Sequence, residues 1–425
     1  MSHFDLITPG WTRSHLEKET TRVFDICDGC RRCFNLCPSF FTLIDRLDEY
    51  ESDSSKFTGQ DFTKIEQECY YCKLCFNHCP YSPPHEYHLD FPRLMAAWKK
   101  QRAHDGGLTV RDKLLVQTDL VGKMGSRTAR LTNWALRTPW VRSLIQKIFG
   151  VHRERDILPF HSETFSQWWS KRHSSSTSQG QTRKVALFPS CLVTYQIPDI
   201  GKAAVQVLEK NGIEVIVPTG QQCCGMPRFD LGDTDGMKQA AEHHLQLFGP
   251  YLSQGYDIVI PAPSCSLMFK REYPYLSNTP EMKQLAERTF DVCEYLMRLK
   301  REDRLTLEFP NNPGKVAYQI PCHLRDQNIG FKSKDLMELT GARVHLIEKC
   351  SGHDGAWSAK TEFFDLSMKI AKKAVRDIED GEFQVVASDC PLSALQLDQA
   401  LGTQAPQAAL HPIQIVRNAY GLSSS

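Results

Sequence analysis

Two short stretches of this chain, CDGCRRCFNLCP (27–38) and CYYCKLCFNHCP (69–80), carry cysteine at one and the same spacing, C-x2-C-x2-C-x3-C-P. This constrains the fold more than any hydrophobic pattern does, because eight sulfurs in so little chain dictate where the backbone turns. Three cysteines two residues apart wrap one face of a cubane, and the fourth, ahead of proline, leaves towards another cluster. The spacing therefore predicts that Cys27, Cys30, Cys33 and Cys79 hold one 4Fe-4S cluster, while Cys69, Cys72, Cys75 and Cys37 hold a second. A zinc ribbon is the simpler alternative, but it requires four sulfurs, not eight in two identical runs. Helical stretches such as FTKIEQE (62–68) point to a mostly helical two-cluster ferredoxin-type domain over residues 20–98. Two such clusters in succession serve as a wire for single electrons.

The other eight of the sixteen cysteines fall between Cys191 and Cys390, with none from 80 to 190. So many cysteines read as metal ligands or reactive thiols of a reducing compartment, where disulfides do not persist. The stretch MSHFDLITPGW lacks a basic region followed by an apolar core and a cleavage site, and no run of 18 apolar residues occurs. Neither secretion nor a membrane span is expected. The expected location is the cytoplasm, with peripheral attachment to the inner face of the cell membrane as a variant. Charge is balanced at 51 basic against 50 acidic side chains, yet residues 99–172 hold fifteen Lys and Arg against six Asp and Glu. The neutral total hides a basic helical connecting segment. After it, HSSSTSQGQT (173–182) has almost nothing to bury and reads as a flexible linker over 173–183.

Beyond the linker the sequence repeats at a period near 128 residues. KVALFPSC (184–191) returns as KVAYQIPC (315–322), NGIEVIVPTGQQCCG (211–225) as TGARVHLIEKCSG (340–352), and YDIVIPAPSC (256–265) as FQVVASDCPLS (383–393). Each short β-branched run reads as a buried strand, and the stretches between them have helical periodicity. Alternating strands and helices imply parallel βα units with ligands at the carboxyl ends of the strands, where these cysteines fall. The expected architecture is α+β multidomain: a helical two-cluster module followed by two similar α/β cysteine-rich lobes with parallel sheets, 184–300 and 314–415, facing each other.

With these residues in view, the chain resembles the cysteine-rich domain of heterodisulfide reductase subunits. The same domain follows a two-cluster ferredoxin module in the iron-sulfur subunits of anaerobic glycerol-3-phosphate dehydrogenase and of glycolate and lactate oxidases. The family pattern, occurring twice, is a cysteine, then CCG, then CxxC, and in heterodisulfide reductase its five thiolates per lobe bind non-cubane clusters that cleave a disulfide. This chain departs from it in both lobes. The first has Cys191, Cys223, Cys224 and Cys265, with Ala262 at the first cysteine of CxxC; the second has Cys322, Cys350 and Cys390, with Ser351 and Ser393 in place of two cysteines. Four thiolates suffice for a conventional cluster in the first lobe. Three would leave one iron of a cluster in the second lobe open to solvent, substrate or a non-thiolate ligand, for which His353 and Asp389 are the candidates. Alternatively the second lobe has lost its cluster and its cysteines pack as small hydrophobes. His353 also reads as a proton donor or a loop residue, and Cys293, on an amphipathic helical pattern, as core. Gly225, Gly352 and Gly355 would admit close backbone approach to a cluster, or are turn glycines.

LVGKMGSRTARLTNWALRTPWVRSLIQKIFG (120–150) has six basic residues, no acidic one, and two tryptophans. Its apolar face is expected to pack on the lobes with its charge in water; a membrane interface or an acidic partner are the alternatives. No nucleic-acid motif accompanies the charge. No G-x-G-x-x-G follows a strand and no phosphate loop occurs, so no flavin or nicotinamide motif is detected. The expected function is that of an iron-sulfur electron-transfer subunit in an oxidoreductase system. Its two 4Fe-4S clusters would connect to a further cluster in the first lobe, and the second lobe is the site of a possible fourth. The resemblance implies a flavoprotein dehydrogenase or quinone as redox partner, with a rubrerythrin-like diiron protein as the alternative. The reading from a different class makes the lobes catalytic, reducing a disulfide or peroxide-type substrate at an incompletely ligated cluster.

Overall fold

The computed structural model describes residues 12–172 and 183–423; of the linker expected at 173–183, residues 173–182 lie outside the described residues. The chain divides into two compact units: residues up to 112 together with 225–238, and 113–224 together with 239 onwards.

The first unit is helical, with Arg13–Cys30, Pro38–Glu49, Gly59–Glu68, Leu74–His78 and Phe91–Gly106 as its helices. Thr12 caps the first of these, whose apolar stripe Leu16, Val23, Phe24 and Cys27 turns inwards. Thr58 and Asp61 form a reciprocal capping box on Gly59–Glu68, satisfying two backbone donors that a helix start leaves open. The helices meet around aromatic rings: Phe24 lies edge-on to Phe57 at 5.0 Å, Phe40 contacts Phe91 at 4.5 Å and Phe62 stacks on Trp98 at 5.3 Å. The indole of Trp98 donates to Thr20 Oγ1 at 2.8 Å, so this core carries no unpaired indole donor. Residues 225–238 belong to the same unit. There Phe229 packs edge-on to Tyr71 at 4.6 Å, and Gly232 lies so close to the Lys99 carbonyl that a Cβ would sit 2.4 Å from it.

The second unit contains both lobes. In the first, strands β1 (Lys184–Leu187), β2 (Glu214–Ile216), β3 (Asp257–Ile260) and β4 (Thr289–Asp291) form an all-parallel sheet of order β2-β1-β3-β4. In the second, β5 (Lys315–Gln319), β6 (Arg343–Ile347) and β7 (Val385–Ala387) form an all-parallel sheet of order β6-β5-β7. The two orders are the same, so the sequence repeat is a repeat of topology. The fourth strand survives in the second lobe as one parallel bridge, Ala387 to Leu410. One apolar core includes Val205, Leu208, Val259 and Tyr295 of the first lobe with Leu336, Ile413 and Val416 of the second. The lobes are thus packed as one body.

The connecting segment folds as Thr118–Arg127, Ala129–Arg137 and Pro139–Phe149, and its packing corrects the expectation that its apolar face would be covered. Small residues make the contact instead. Gly122 abuts the Tyr195 ring, where a Cβ would come within 2.2 Å, and Gly125 abuts Phe160. A helix surface of glycine approaches its neighbour more closely than one of leucine, and here it leaves the large side chains outside. Met124, Leu131, Trp134, Trp140 and Ile148 are 63, 64, 54, 65 and 61% exposed. The segment is then tied to the second lobe by Arg155, which donates to the Ser358 carbonyl, Ser367 Oγ and Gln399. Among the described residues no helix is long and apolar enough to cross a membrane.

Candidate metal centres

In the first unit each cysteine run is shaped by non-glycine residues held at positive φ: Arg31 (48°) between Cys30 and Cys33, Tyr71 (51°) and Lys73 (60°) among Cys69, Cys72 and Cys75. Left-handed backbone at such residues costs roughly 1–3 kcal/mol each and persists where the surroundings impose it. Cys37 stands at the start of the helix begun by Pro38, without a side-chain cap, and Cys69 at the end of Gly59–Glu68, so both cysteines sit at helix ends. Lys99 holds the Cys69 carbonyl at 2.6 Å.

The thiols gather in two groups. Burial, and then the neighbouring charges of Cys33, Cys79 and Cys30, push the Cys27 thiol far up; Cys33 is raised to about 11 by burial, Cys79 and Cys30. Burial and then Cys72, Cys37 and Cys69 do the same to Cys75, with Cys33 also close enough to act on it. Thiols this buried and this crowded by like groups stay protonated unless a cation displaces their protons. The donor set therefore fits iron-sulfur clusters, one to each group of four sulfurs.

In the first lobe all four cysteines follow the carboxyl ends of strands. Cys191 starts the short helix after β1, preceded by Ser190 at φ 78°, whose Oγ accepts from Val193 N. Cys223 and Cys224 follow β2, with Gly225 at φ 87°, and Cys265 lies in the helix after β3. A hydrogen bond to Cys223, then burial, then the charges of Cys223 and Cys265 raise Cys191; hydrogen bonds to Cys223 and Cys265, then burial, raise Cys224. The four sulfurs converge and fit a four-thiolate cluster. Two further groups fix the CCG turn. The Tyr273 hydroxyl donates to the Cys224 carbonyl at 2.7 Å, and Asp119 accepts from the Cys223 N–H at 2.7 Å. A cavity of about 220 Å³ beside Cys191 is lined by Pro189, Tyr195, Trp169 and Gln221.

In the second lobe Cys322, Cys350 and Cys390 stand at the same three strand ends. Cys322 is raised by burial and then by Cys350, Cys390 and Asp354. Asp354 acts on Cys390 too. It is the carboxylate of this site and went unnoticed in the sequence, though CSGHDG places it one residue beyond His353. Cys350 Sγ accepts the Gly352 N–H at 3.3 Å. The two serines that replace family cysteines touch: the buried Ser351 hydroxyl meets Ser393 Oγ at 3.0 Å. His353 Nδ1 is buried without a hydrogen-bond partner, and burial followed by Arg155 drives the imidazole down to about 3. It is a neutral donor, able to ligate. Asp389, the other candidate, is occupied elsewhere: Tyr318 and Ser333 donate to it, and it sits with Asp291 and Cys293. The two lobes meet through their cysteine loops, where Ser264 hydrogen-bonds His323 at 2.9 Å and Gln327 donates to Ser266 at 2.8 Å.

Comparison with known proteins agrees with this layout. The cysteine-rich domain family matches residues 185–270 and 316–398, and the Citrate utilization protein B Fer4-like domain matches 20–105. The chain is 25% identical over 315 residues to a subunit of the anaerobic glycerol-3-phosphate dehydrogenase of Escherichia coli (strain K12), covering 73% of this chain and 77% of the relative. It is 30% identical over 218 residues to lactate utilization protein A of Bacillus pumilus (strain SAFR-032), covering 49% and 87%. Over 233 residues it is 29% identical to a subunit of the fumarate reductase (CoM/CoB) of Methanothermobacter marburgensis, covering 53% and 44%. The chain therefore belongs to the iron-sulfur protein family that joins a Fer4-like domain to cysteine-rich domains and that includes this relative from anaerobic glycerol-3-phosphate dehydrogenase.

Proposed function

We propose that this chain is the electron-transfer subunit of an oxidoreductase system, with a flavoprotein dehydrogenase as its redox partner. The reading rests on the convergence of the twelve cysteines of the first unit and first lobe into three groups of four. Iron-sulfur clusters, when bound, supply one-electron storage without proton chemistry. The residues named above would hold two 4Fe-4S clusters in the first unit and one in the first lobe, with Cys322, Cys350 and Cys390 available for a fourth. Gly352 keeps backbone close to the Cys350 sulfur, and the strand ends fix the thiols in advance. Two of the relatives are subunits of a dehydrogenase and a reductase by name, which favours a partner that carries the substrate chemistry. The second reading makes the lobes catalytic; the cavity beside Cys191 supports it, since a small substrate would reach that thiolate group there.

Iron and acid-labile sulfide on the anaerobically purified full chain, with EPR spectra before and after reduction, test the proposal. About twelve irons or more are expected, falling by about four in Cys72→Ser. Eight or fewer, unchanged in that variant, would overturn it. Turnover of a disulfide or peroxide by the chain alone with an artificial donor would favour the catalytic reading.

The exposed apolar side chains of the connecting segment, interspersed along the sequence with Lys123, Arg127, Arg130, Arg137 and Lys147, favour attachment to an anionic membrane surface, within reach of quinone. Tryptophan and basic residues on one amphipathic surface suit the headgroup layer. Trp134→Ser with Trp140→Ser should lower co-sedimentation with phosphatidylglycerol vesicles at least about tenfold. Equal sedimentation of variant and parent would remove the membrane from the scheme.

A further inference from the structure

Away from the cysteine groups, the contact between the lobes encloses a second kind of donor cluster. Asp291 ends β4 and caps the helix Val292–Arg301; Cys293 lies in the first turn of that helix, and Asp389 follows β7 of the other lobe. All three are fully buried, and one ligand atom from each lies within 4.8 Å of the others. Their hydrogen bonds leave one atom over. Asp291 Oδ1 accepts the Cys293 N–H at 2.9 Å, but its Oδ2, also buried, has no partner. Asp389 is held in place by the hydroxyls of Tyr318 and Ser333, one on each carboxylate oxygen. The nearby cation, Lys270, is engaged by Glu294 at 2.7 Å, and the same Glu294 oxygen receives the Asp291 N–H at 3.0 Å.

Two carboxylates facing each other in a dry interior are costly unless a positive charge lies between them. We propose that Asp291, Cys293 and Asp389 form a site for one divalent metal ion that joins the first lobe to the second. Two carboxylate oxygens and a thiolate are a zinc donor set, and binding releases the Cys293 thiol proton. The hydroxyls on Asp389 and the backbone N–H on Asp291 are the outer hydrogen bonds that orient metal-binding carboxylates. The site is separate from the sulfur groups of both lobes, because none of its three members occupies a family cysteine position. It also gives Cys293, which its helical pattern alone assigns to the core, a chemical role.

Metal analysis of the full chain with its iron centres loaded tests the site, since empty cysteine sites would themselves take up zinc. About one zinc per chain is expected, retained on dialysis and lost in Asp291→Asn and in Cys293→Ala with iron content unchanged. Asparagine keeps the helix cap, so the first variant removes the charge without removing the capping side chain. Replacing the ion with cobalt(II) provides a readout that does not depend on variant stability: a thiolate-to-cobalt absorption band in the parent that is absent in Cys293→Ser. A parent chain that neither contains zinc nor takes it up would overturn the proposal, and so would zinc bound equally by parent and variants. In the first of these cases the carboxyls share protons instead.

Discussion

In the first lobe Cys265 lies close enough to Cys224 of the CCG turn to help raise its thiol; in the second the same two positions are Ser351 and Ser393, joined at 3.0 Å. Strand order, chain direction and the placement of the first cysteine after the central strand are the same in both lobes. The backbone thus carries the site geometry independently of the sulfur. In the second lobe both positions carry hydroxyls, and these hydroxyls are matched to each other. A lone serine against a cysteine would have been a poorer hydrogen-bonded pair. The second lobe also keeps a carboxylate, Asp354, beside its remaining thiols. The comparison shows one scaffold presenting four thiols in one copy and three thiols with oxygen donors nearby in the other.

The largest expected effect comes from making the first lobe resemble the second. Cys224→Ser with Cys265→Ser should remove about four irons per chain, read by iron and sulfide analysis. Unchanged iron would mean that the first lobe holds no cluster and that the two copies do not differ in this respect. The reverse exchange, Ser351→Cys with Ser393→Cys, gives the second lobe five thiols. The EPR spectrum of the reduced chain should then change through its second-lobe signal, and an identical spectrum with identical iron would mean that this lobe has no centre to complete.

The smallest effect concerns the position after the fourth strand, where the first lobe has Asp291 as a helix cap and the second has His411, whose Nδ1 accepts from Ile413 N at 3.0 Å. Burial pushes His411 down to about 3, so it is neutral in the folded chain, whereas the unfolded chain takes up its proton near pH 6.5. Stability contributed by the neutral form is complete above that pH and is lost as pH falls towards 3. His411→Asn retains a capping side chain and removes this titration. Between pH 7 and pH 5 the parent should lose about 2 kcal/mol more than the variant in urea denaturation. Parallel losses would show that the histidine is accessible to protons in the fold.

Much of this layout was legible in the residues because cysteine spacing and β-branched runs are local signals. The run KVALFPSC already contains a strand and the ligand at its end, and its return as KVAYQIPC announces a second lobe with the same connectivity. What could not be read depends on contacts between distant residues. Asp389 reads as a ligand candidate because it adjoins Cys390, but adjacent residues at a strand end point to opposite sides. Its partners Tyr318, Ser333 and Asp291 are 56 to 98 residues away in sequence. The Thr118–Arg127 helix has an obvious amphipathic pattern, yet periodicity does not say which face is buried. Glycine packing decided it. Residues 225–238 likewise belong by sequence to the first lobe and by packing to the N-terminal helices.

Asp119 lies on that glycine-faced helix, and its carboxylate accepts the backbone N–H of Cys223. Two electrical consequences follow for a centre held at Cys223. A negative charge stands nearby, and an amide that would otherwise be free to donate towards sulfur is already committed. Both favour the oxidised state, because net charge and hydrogen bonding to the sulfurs set the potential of such centres. The segment whose outer surface meets the surroundings would therefore also set, from its inner surface, how readily a centre held in the first lobe gives up an electron.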